Sequence, residues 1–140
     1  MELIEINSNL INNFGKRFPN ILSNTKYLDD GSISIEIPLP KIPTVSLKIT
    51  TQNHEITLGF IMWHIHGDML GGKTIDEQIA NSLDYIKLII EDKIKLVLLY
   101  KSNVLIDLYP TDDPDFELSN IEMDETVIIN TWSLIQPNKE

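Results

Sequence analysis

Residues 55–68, which read EITLGFIMWHIHGD, form a long strand-like run that ends in two histidines two positions apart. Successive side chains of a strand alternate between its two faces. We therefore expect one face to carry Ile56, Leu58, Phe60, Met62, His64 and His66, and the other to carry Ile61, Trp63 and Ile65. Because both sets are mostly apolar, the run predicts a central strand that is covered on both faces.

Two shorter segments before this run alternate apolar and polar residues, which is typical of half-buried strands. The apolar positions are Ile33, Ile35 and Ile37 in the first segment and Val45, Leu47 and Ile49 in the second. Residues 38–43 contain three prolines, which cannot donate ladder hydrogen bonds, so this connection should be extended or form a protected sheet edge. With residues 55–68, these segments predict an antiparallel meander of three strands.

A well-defined helix is predicted to begin at Ile75, because Thr74 and Glu77 have the spacing of a capping box. Its apolar residues recur on one stripe, formed by Ile75, Ile79, Leu83, Ile86 and Ile90. A shorter N-terminal helix, capped by Ser8, is expected to end before Pro19. One face of the better-defined helix should pack on the sheet.

Residues 94–100 are apolar at almost every position and predict an interior strand. A tight turn at Ser102 and Asn103 would pair it with residues 104–109, and an acidic loop over 110–124 would lead to a last strand at 126–134. The order α-β-β-β-α-β-β-β predicts a single α+β domain over residues 1–140, with a mainly antiparallel sheet of about six strands.

Composition narrows the possible functions. A net charge of −10, from 21 acidic and 11 basic residues, disfavours binding to nucleic acid or to an anionic membrane. Cysteine is absent, so disulfides and thiolate zinc sites are excluded. We find no signal-peptide pattern, and no apolar run approaches the roughly 20 residues that span a bilayer. These features predict a cytoplasmic protein without a membrane partner.

The negative charge is concentrated near the C-terminus, since residues 102–138 contain no Lys or Arg. The eight carboxylates of this stretch are Asp107, Asp112, Asp113, Asp115, Glu117, Glu122, Asp124 and Glu125. Such a stretch is either a solvated acidic loop or a surface that attracts a basic protein. For the second case, the first candidate contacts are Asp112, Asp113, Asp115 and Glu117, and the next are Glu122, Asp124 and Glu125.

His64 and His66 have a spacing at which two imidazoles on one strand face bind one metal ion, provided that another ligand converges on it. Asp68 continues the same alternation, and further oxygen ligands could come from Glu36, Glu55 or Asp107. The alternative is a structural role, in which the histidines hydrogen-bond to their neighbours or line a groove that faces a partner. We favour that alternative and predict no cofactor.

The same spacing resembles the JAMM metalloprotease motif, with Thr74 and Glu77 at the motif's Ser and Asp positions. The resemblance implies a metal-dependent hydrolase that uses His64 and His66. However, the capping box already explains Thr74 and Glu77, and Gly67 replaces the proline that commonly follows the second histidine. The hydrolase is therefore our alternative hypothesis, and we expect the protein not to be an enzyme.

Residues 67–74, GDMLGGKT, match the phosphate-binding loop pattern between a predicted strand and a predicted helix. A nucleotide-hydrolysing fold of that type needs a parallel βαβ core, whereas this chain is dominated by hairpin-like alternation. A small nucleotide-binding module is thus a further alternative.

Residues 55–135 as a group resemble small immunity proteins of bacterial polymorphic-toxin systems. The resemblance is carried by the Trp-His-x-His end at 63–66, the glycine-rich turn, the helix that runs into Glu-Asp-Lys-Ile at 91–94, the paired strands and Thr-Trp-Ser at 131–133. It implies a cytoplasmic, non-enzymatic inhibitor that binds one cognate toxin and blocks its active site or substrate surface. If the toxin is a basic nuclease, an acidic surface can mimic nucleic-acid phosphates and accelerate encounter.

Overall fold

The structure, a computed structural model, describes residues 1–137. In this part of the chain, three α-helices and eight strands follow one another as α1 Leu3–Arg17, β1 Asn24–Tyr27, β2 Ile33–Pro38, β3 Ser46–Thr50, β4 Thr57–Gly59, β5 His64–His66, α2 Ile75–Ile90, β6 Lys95–Lys101, β7 Val104–Thr111, α3 Pro114–Ser119 and β8 Glu125–Asn130. Each strand pairing is antiparallel. The predicted single α+β domain is confirmed.

The strands form two sheets, where the sequence predicted one sheet of about six strands. The first sheet has the order β1-β2-β3-β4-β5, and the second has the order β7-β6-β8. The predicted meander lies in the first sheet, as β2, β3 and β4. Strand β1 escaped prediction because its four side chains are all exposed and leave no apolar alternation in the sequence. Buried side chains from α1, α2 and both sheets meet in one core.

The N-terminal helix is longer than predicted and begins earlier. It starts at Leu3, so Ser8 lies inside the helix, and the prediction that Ser8 caps it is wrong. The apolar periodicity begins with Ile6 and continues through Leu10 and Phe14, all of which are buried. The helix ends at Arg17, before Pro19, as proline geometry predicts.

Helix α2 is confirmed from Ile75 onward, and Thr74 caps it as predicted. The backbone N–H of Glu77 donates to the Thr74 hydroxyl over 3.1 Å. The Glu77 carboxylate accepts from the backbone N–H of Lys73, over 3.3 Å. A capping box predicts the N–H of Thr74 as this donor, so the observed donor lies one position earlier. The buried side of the helix consists of Ile79, Ser82, Leu83, Ile86 and Ile89.

The prediction of one central strand at residues 55–68 is wrong, because the chain reverses at 60–63. The N–H of Phe60 donates to the carbonyl of Trp63 over 3.0 Å, and this turn joins two strands of three residues each, β4 and β5. Strand β5 lies at the edge of the first sheet. The reversal also changes which side chains share a face of the sheet. Leu58 pairs with Ile65, which faces the core, whereas His64 and His66 lie on the outward face.

The C-terminal hairpin is confirmed, with Ser102 and Asn103 at φ 51° and 66°, which suits a two-residue hairpin turn. The predicted acidic loop contains the end of β7 and the short helix α3. The last strand is shorter than predicted and ends at Asn130, followed by a 3-10 turn at Trp132–Leu134. Trp132 is buried in the core, which accounts for its apolar character without a strand.

Candidate protein interface

Helix α3 begins at a well-capped end within the acidic stretch. Asp113 accepts a hydrogen bond from the N–H of Phe116 over 3.1 Å, and Pro114 occupies the first turn, where its missing N–H has no cost. The sequence signal for this helix was therefore present as Asp-Pro, but six residues are too few for an apolar stripe to reveal it.

The inward side of α3 consists of Pro114 and Glu117, the two partly buried residues of the helix. Glu117 accepts a hydrogen bond from the hydroxyl of Tyr109 over 2.9 Å and a longer one from the hydroxyl of Thr111, over 3.5 Å. Both partners belong to β7, so Glu117 joins α3 to the second sheet. Helix α3 also contacts β6 and β8 and thus lies across all three strands of this sheet.

Two tyrosines near α3, Tyr109 and Tyr85, have a raised pKa, mainly because they are partly buried. Burial, the hydrogen bond to Glu117 and the nearby carboxylates together raise the pKa of Tyr109 to about 12. Burial also raises the pKa of Tyr85, with a contribution from the charge of Asp112. Because an ordinary tyrosine, with a pKa of about 10, is already protonated at neutral pH, these shifts affect the two hydroxyls only in alkaline solution.

The outward side of α3 presents two apolar side chains, Phe116 and Leu118, beside exposed Asp115 and Ser119. The exposed fraction is 57% for Phe116 and 51% for Leu118, and two further apolar side chains, Ile121 and Met123, are exposed just after the helix. We define the 112–125 surface as these four residues together with the carboxylates predicted between Asp112 and Glu125. Exposed apolar side chains that cluster among polar ones are typical of a protein-binding site.

Four of the seven predicted contact residues have a structural task. Asp113 caps α3, and Glu117 joins α3 to β7. Asp124 lies 3.8 Å from the Lys101 ammonium, and Glu125 accepts from the N–H of Glu122 over 3.0 Å. Substitution of Asp113 or Glu117 would therefore weaken the attachment of α3 as well as remove a charge. By contrast, the exposed pair of Asp124 with Lys101 contributes little to stability.

The other three predicted contacts are free to meet a partner. Asp112, Asp115 and Glu122 are exposed, and their carboxylates form no hydrogen bond or ion pair within residues 1–137. The sequence could not separate these three from the other four, because the difference lies in tertiary contacts. Nor did it single out Phe116, Leu118, Ile121 and Met123, whose only signal was apolar residues interleaved with acids.

A cavity of about 590 Å³ opens beside α3, between the end of α2 and the strands β6 and β7. Its lining includes Tyr85, two lysines at 93 and 95, and the carboxylates of Asp112 and Glu117. The cavity thus extends the 112–125 surface inward with both charge signs and a hydroxyl group.

Asp107, the eighth acid of the stretch, connects the two sheets. Its carboxylate accepts from the N–H groups of Met62 and Trp63, over 3.1 Å each, and from its neighbour Leu108 over 2.9 Å. These bonds hold the turn at 60–63. Because its carboxylate accepts from three backbone donors, Asp107 has a structural role that requires neither a metal ion nor a protein partner.

The histidines lie on the outward face of the first sheet. The Nδ1 atom of His66 is 3.1 Å from the Thr57 hydroxyl and 3.4 Å from a Glu55 carboxylate oxygen. His64 is exposed, and its ring centre is 5.3 Å from that of His66. A groove of about 340 Å³ runs past both rings.

The other metal ligands considered from the sequence do not converge on this pair. Asp68 lies in a 3-10 turn, Gly67–Leu70, where the strand has ended, and Glu36 pairs with Lys26 over 3.1 Å. Within residues 1–137, no set of three or more His, Asp or Glu side chains is arranged to hold a metal ion. Thr74 and Glu77 are occupied at the start of α2.

The glycines of the phosphate-loop pattern have a packing role. A Cβ atom on Gly67 would lie 2.9 Å from the Cβ of Gln78, and one on Gly72 would lie 2.7 Å from the Gln78 backbone nitrogen. The loop thus packs against the first turns of α2. The strand before it, β5, is antiparallel to its neighbour, and no parallel strand pair occurs in the described part of the chain.

No family model, curated protein or solved structure matches the chain. Within residues 1–137, no helix combines the length and the apolar character that a membrane span requires.

Proposed function

We propose that this protein is a cytoplasmic immunity protein that neutralises a cognate toxin by stoichiometric binding through the 112–125 surface. The supporting observation is that α3 partly buries Glu117 while Phe116 and Leu118 are more than half exposed to solvent. A helix that exposes its apolar side chains loses the stabilisation that burial would provide. A partner that covers them restores it.

The charges specify a basic partner. Asp112, Asp115 and Glu122 flank the exposed apolar side chains in the sequence and form no ion pair within residues 1–137. Two lysines, at 93 and 95, line the same cavity as Asp112. No Lys or Arg occurs between residues 102 and 138 to offset them. Such a surface attracts a positively charged protein, accelerates encounter and fixes its orientation, while the apolar centre supplies most of the affinity. A nuclease, whose substrate is a polyanion, has a surface of the required sign.

The test uses the product of the gene immediately upstream of the gene for this protein, which we predict to be the toxin. We expect the purified toxin to bind with 1:1 stoichiometry in calorimetry and to lose its toxicity when the two are co-expressed. The variant Asp112→Asn, Asp115→Asn, Glu122→Gln should weaken binding at low salt about tenfold or more, mainly through slower association. The difference should shrink as salt is added.

The matched control removes the same number of charges elsewhere. Glu5, Asp29 and Asp68 are exposed and have no side-chain partner within residues 1–137, so Glu5→Gln, Asp29→Asn, Asp68→Asn changes the net charge equally. We expect this control to bind almost as the natural protein does. Equal losses in the two triple variants would contradict the assigned surface, and a toxin that stays active when saturated with the protein would contradict the function.

A further inference from the structure

We propose that His64 and His66 chelate one late-transition divalent ion, of which Zn²⁺ is the example tested below, on the outward face of the first sheet. Both side chains border the same groove. None of the residues involved belongs to the 112–125 surface, so this inference stands apart from toxin binding.

The separation of the two rings fits tetrahedral coordination. A Zn–N bond of about 2.1 Å, with about 1.1 Å more to the ring centre, places two imidazole centres about 5 Å apart at a tetrahedral angle. The observed separation of the His64 and His66 ring centres is 5.3 Å. The pairing of β4 with β5 sets this geometry, because residues at positions i and i+2 of a strand project from the same face.

The surroundings of His66 prepare it as a ligand. The Nδ1 atom of His66 lies 3.4 Å from a Glu55 carboxylate oxygen and 3.1 Å from the Thr57 hydroxyl. In the tautomer whose Nδ1–H faces Glu55, the lone pair on Nε2 is left for the metal and the carboxylate orients the ring, as carboxylates behind zinc-bound histidines do. His64 makes no hydrogen bond or ion pair within residues 1–137, and its nitrogens are accessible.

The two histidines leave coordination positions open. Because no third protein ligand is grouped with them within residues 1–137, water or a molecule held in the groove of about 340 Å³ would complete the coordination. Exposed Ile61 and Met62 lie on one side of this groove, and Lys48 also lines it. Imidazole selects Zn²⁺, Ni²⁺ and Cu²⁺ over hard ions such as Ca²⁺ and Mg²⁺, so the site discriminates by ligand chemistry.

The experiment titrates ZnCl₂ into the untagged full-length protein by calorimetry at neutral pH. We expect one Zn²⁺ per chain, no heat of binding with Mg²⁺, and weaker binding as the pH falls, because protons compete for imidazole nitrogens. Replacement of either ligand, by His64→Gln or His66→Gln, should abolish the saturable heat. Glu55→Gln should weaken binding by about tenfold while both ligands remain.

His54 supplies the matched control. It is the one histidine among the three of the chain that is not a proposed ligand, and it lies outside the groove lining. We expect His54→Gln to bind Zn²⁺ as the natural protein does. His64 is exposed, so its variant should retain the fold, which circular dichroism would verify. Absence of saturable Zn²⁺ binding to the natural protein, or equal losses in the His54 and His64 variants, would overturn the proposal.

Discussion

Helices α2 and α3 differ in which side chains they bury and which they expose. In α2, Leu83 is fully buried and the charged residues face solvent, whereas in α3 the carboxylate of Glu117 faces the sheet and Phe116 is 57% exposed. Since apolar burial is the main favourable term in folding, α2 is an element that stabilises the domain. Helix α3 gives up that term at two positions, which is the expected pattern where a second protein supplies the covering surface.

The interactions that hold α2 and α3 against the rest of the domain differ accordingly in free energy. Burying a leucine side chain contributes about 1.5–3 kcal/mol, and α2 buries four apolar side chains in this way. Helix α3 depends on the Asp113 cap and the hydrogen bonds of Glu117, each of which contributes about 1 kcal/mol. We therefore expect α3 to open locally before the core unfolds.

The largest effect is expected from Leu83→Ala, which breaks the packing of α2. The side chain is fully buried, so its truncation should lower the free energy of unfolding by about 2–5 kcal/mol. Leu88 is on the same helix and 42% exposed, and Leu88→Ala should therefore change the stability much less. Urea unfolding of both variants measures the difference, and equal losses would show that α2 does not pack as described.

Helix α2 was predictable because every signal for it is local. A capping box of four residues marks its start, and its apolar residues repeat at helical spacing. The alternating segments at β2 and β3 have the same property, since period-2 burial is visible in sequence. Local patterns thus account for the fold class and for the central elements.

The errors fall where distant contacts decide the structure. The turn that divides residues 55–68 depends on hydrogen bonds from Met62 and Trp63 to Asp107, which lies 45 and 44 positions away. Without that contact, the apolar run reads as one strand. Likewise, only contacts with β7 show that Glu117 is engaged while Asp112 is free, so the sequence located the acidic surface but not its internal division.

A smaller effect is expected when the attachment of α3 is weakened by Tyr109→Phe. Loss of the bond to Glu117 should cost about 1 kcal/mol at pH 8. The pKa of Tyr109 is raised to about 12 in the folded protein, against about 10 when unfolded, so the stabilisation is present below pH 10 and disappears as the pH rises towards 12. The difference in melting temperature between the natural protein and the variant should therefore fall over this interval.

Tyr27 provides the control for this titration, because it is exposed and its hydroxyl makes no hydrogen bond within residues 1–137. Tyr27→Phe removes the same atoms without detaching any element. A melting-temperature difference that changes with pH equally in both variants would contradict the role of Tyr109 under α3.

The smallest effect on stability is expected from the double variant Phe116→Ser, Leu118→Ser. Both side chains are more than half exposed, so the free energy of unfolding should change by only about 0.5 kcal/mol or less. The same variant should nevertheless weaken toxin binding by at least about 2 kcal/mol, because it removes the apolar centre of the proposed interface. Stability comes from urea unfolding, and affinity from calorimetry with the toxin.

Two other exposed apolar residues separate a specific interface from a general loss of hydrophobic surface. Ile4 on α1 and Val104 on β7 are 79% and 62% exposed, and the variant Ile4→Ser, Val104→Ser removes apolar surface outside the 112–125 segment. If α3 exposes Phe116 and Leu118 for a partner, only the α3 variant loses affinity. A large drop in the stability of the Phe116→Ser, Leu118→Ser variant would instead mean that these two side chains support the fold. The contrast between α2 and α3 would then no longer indicate binding.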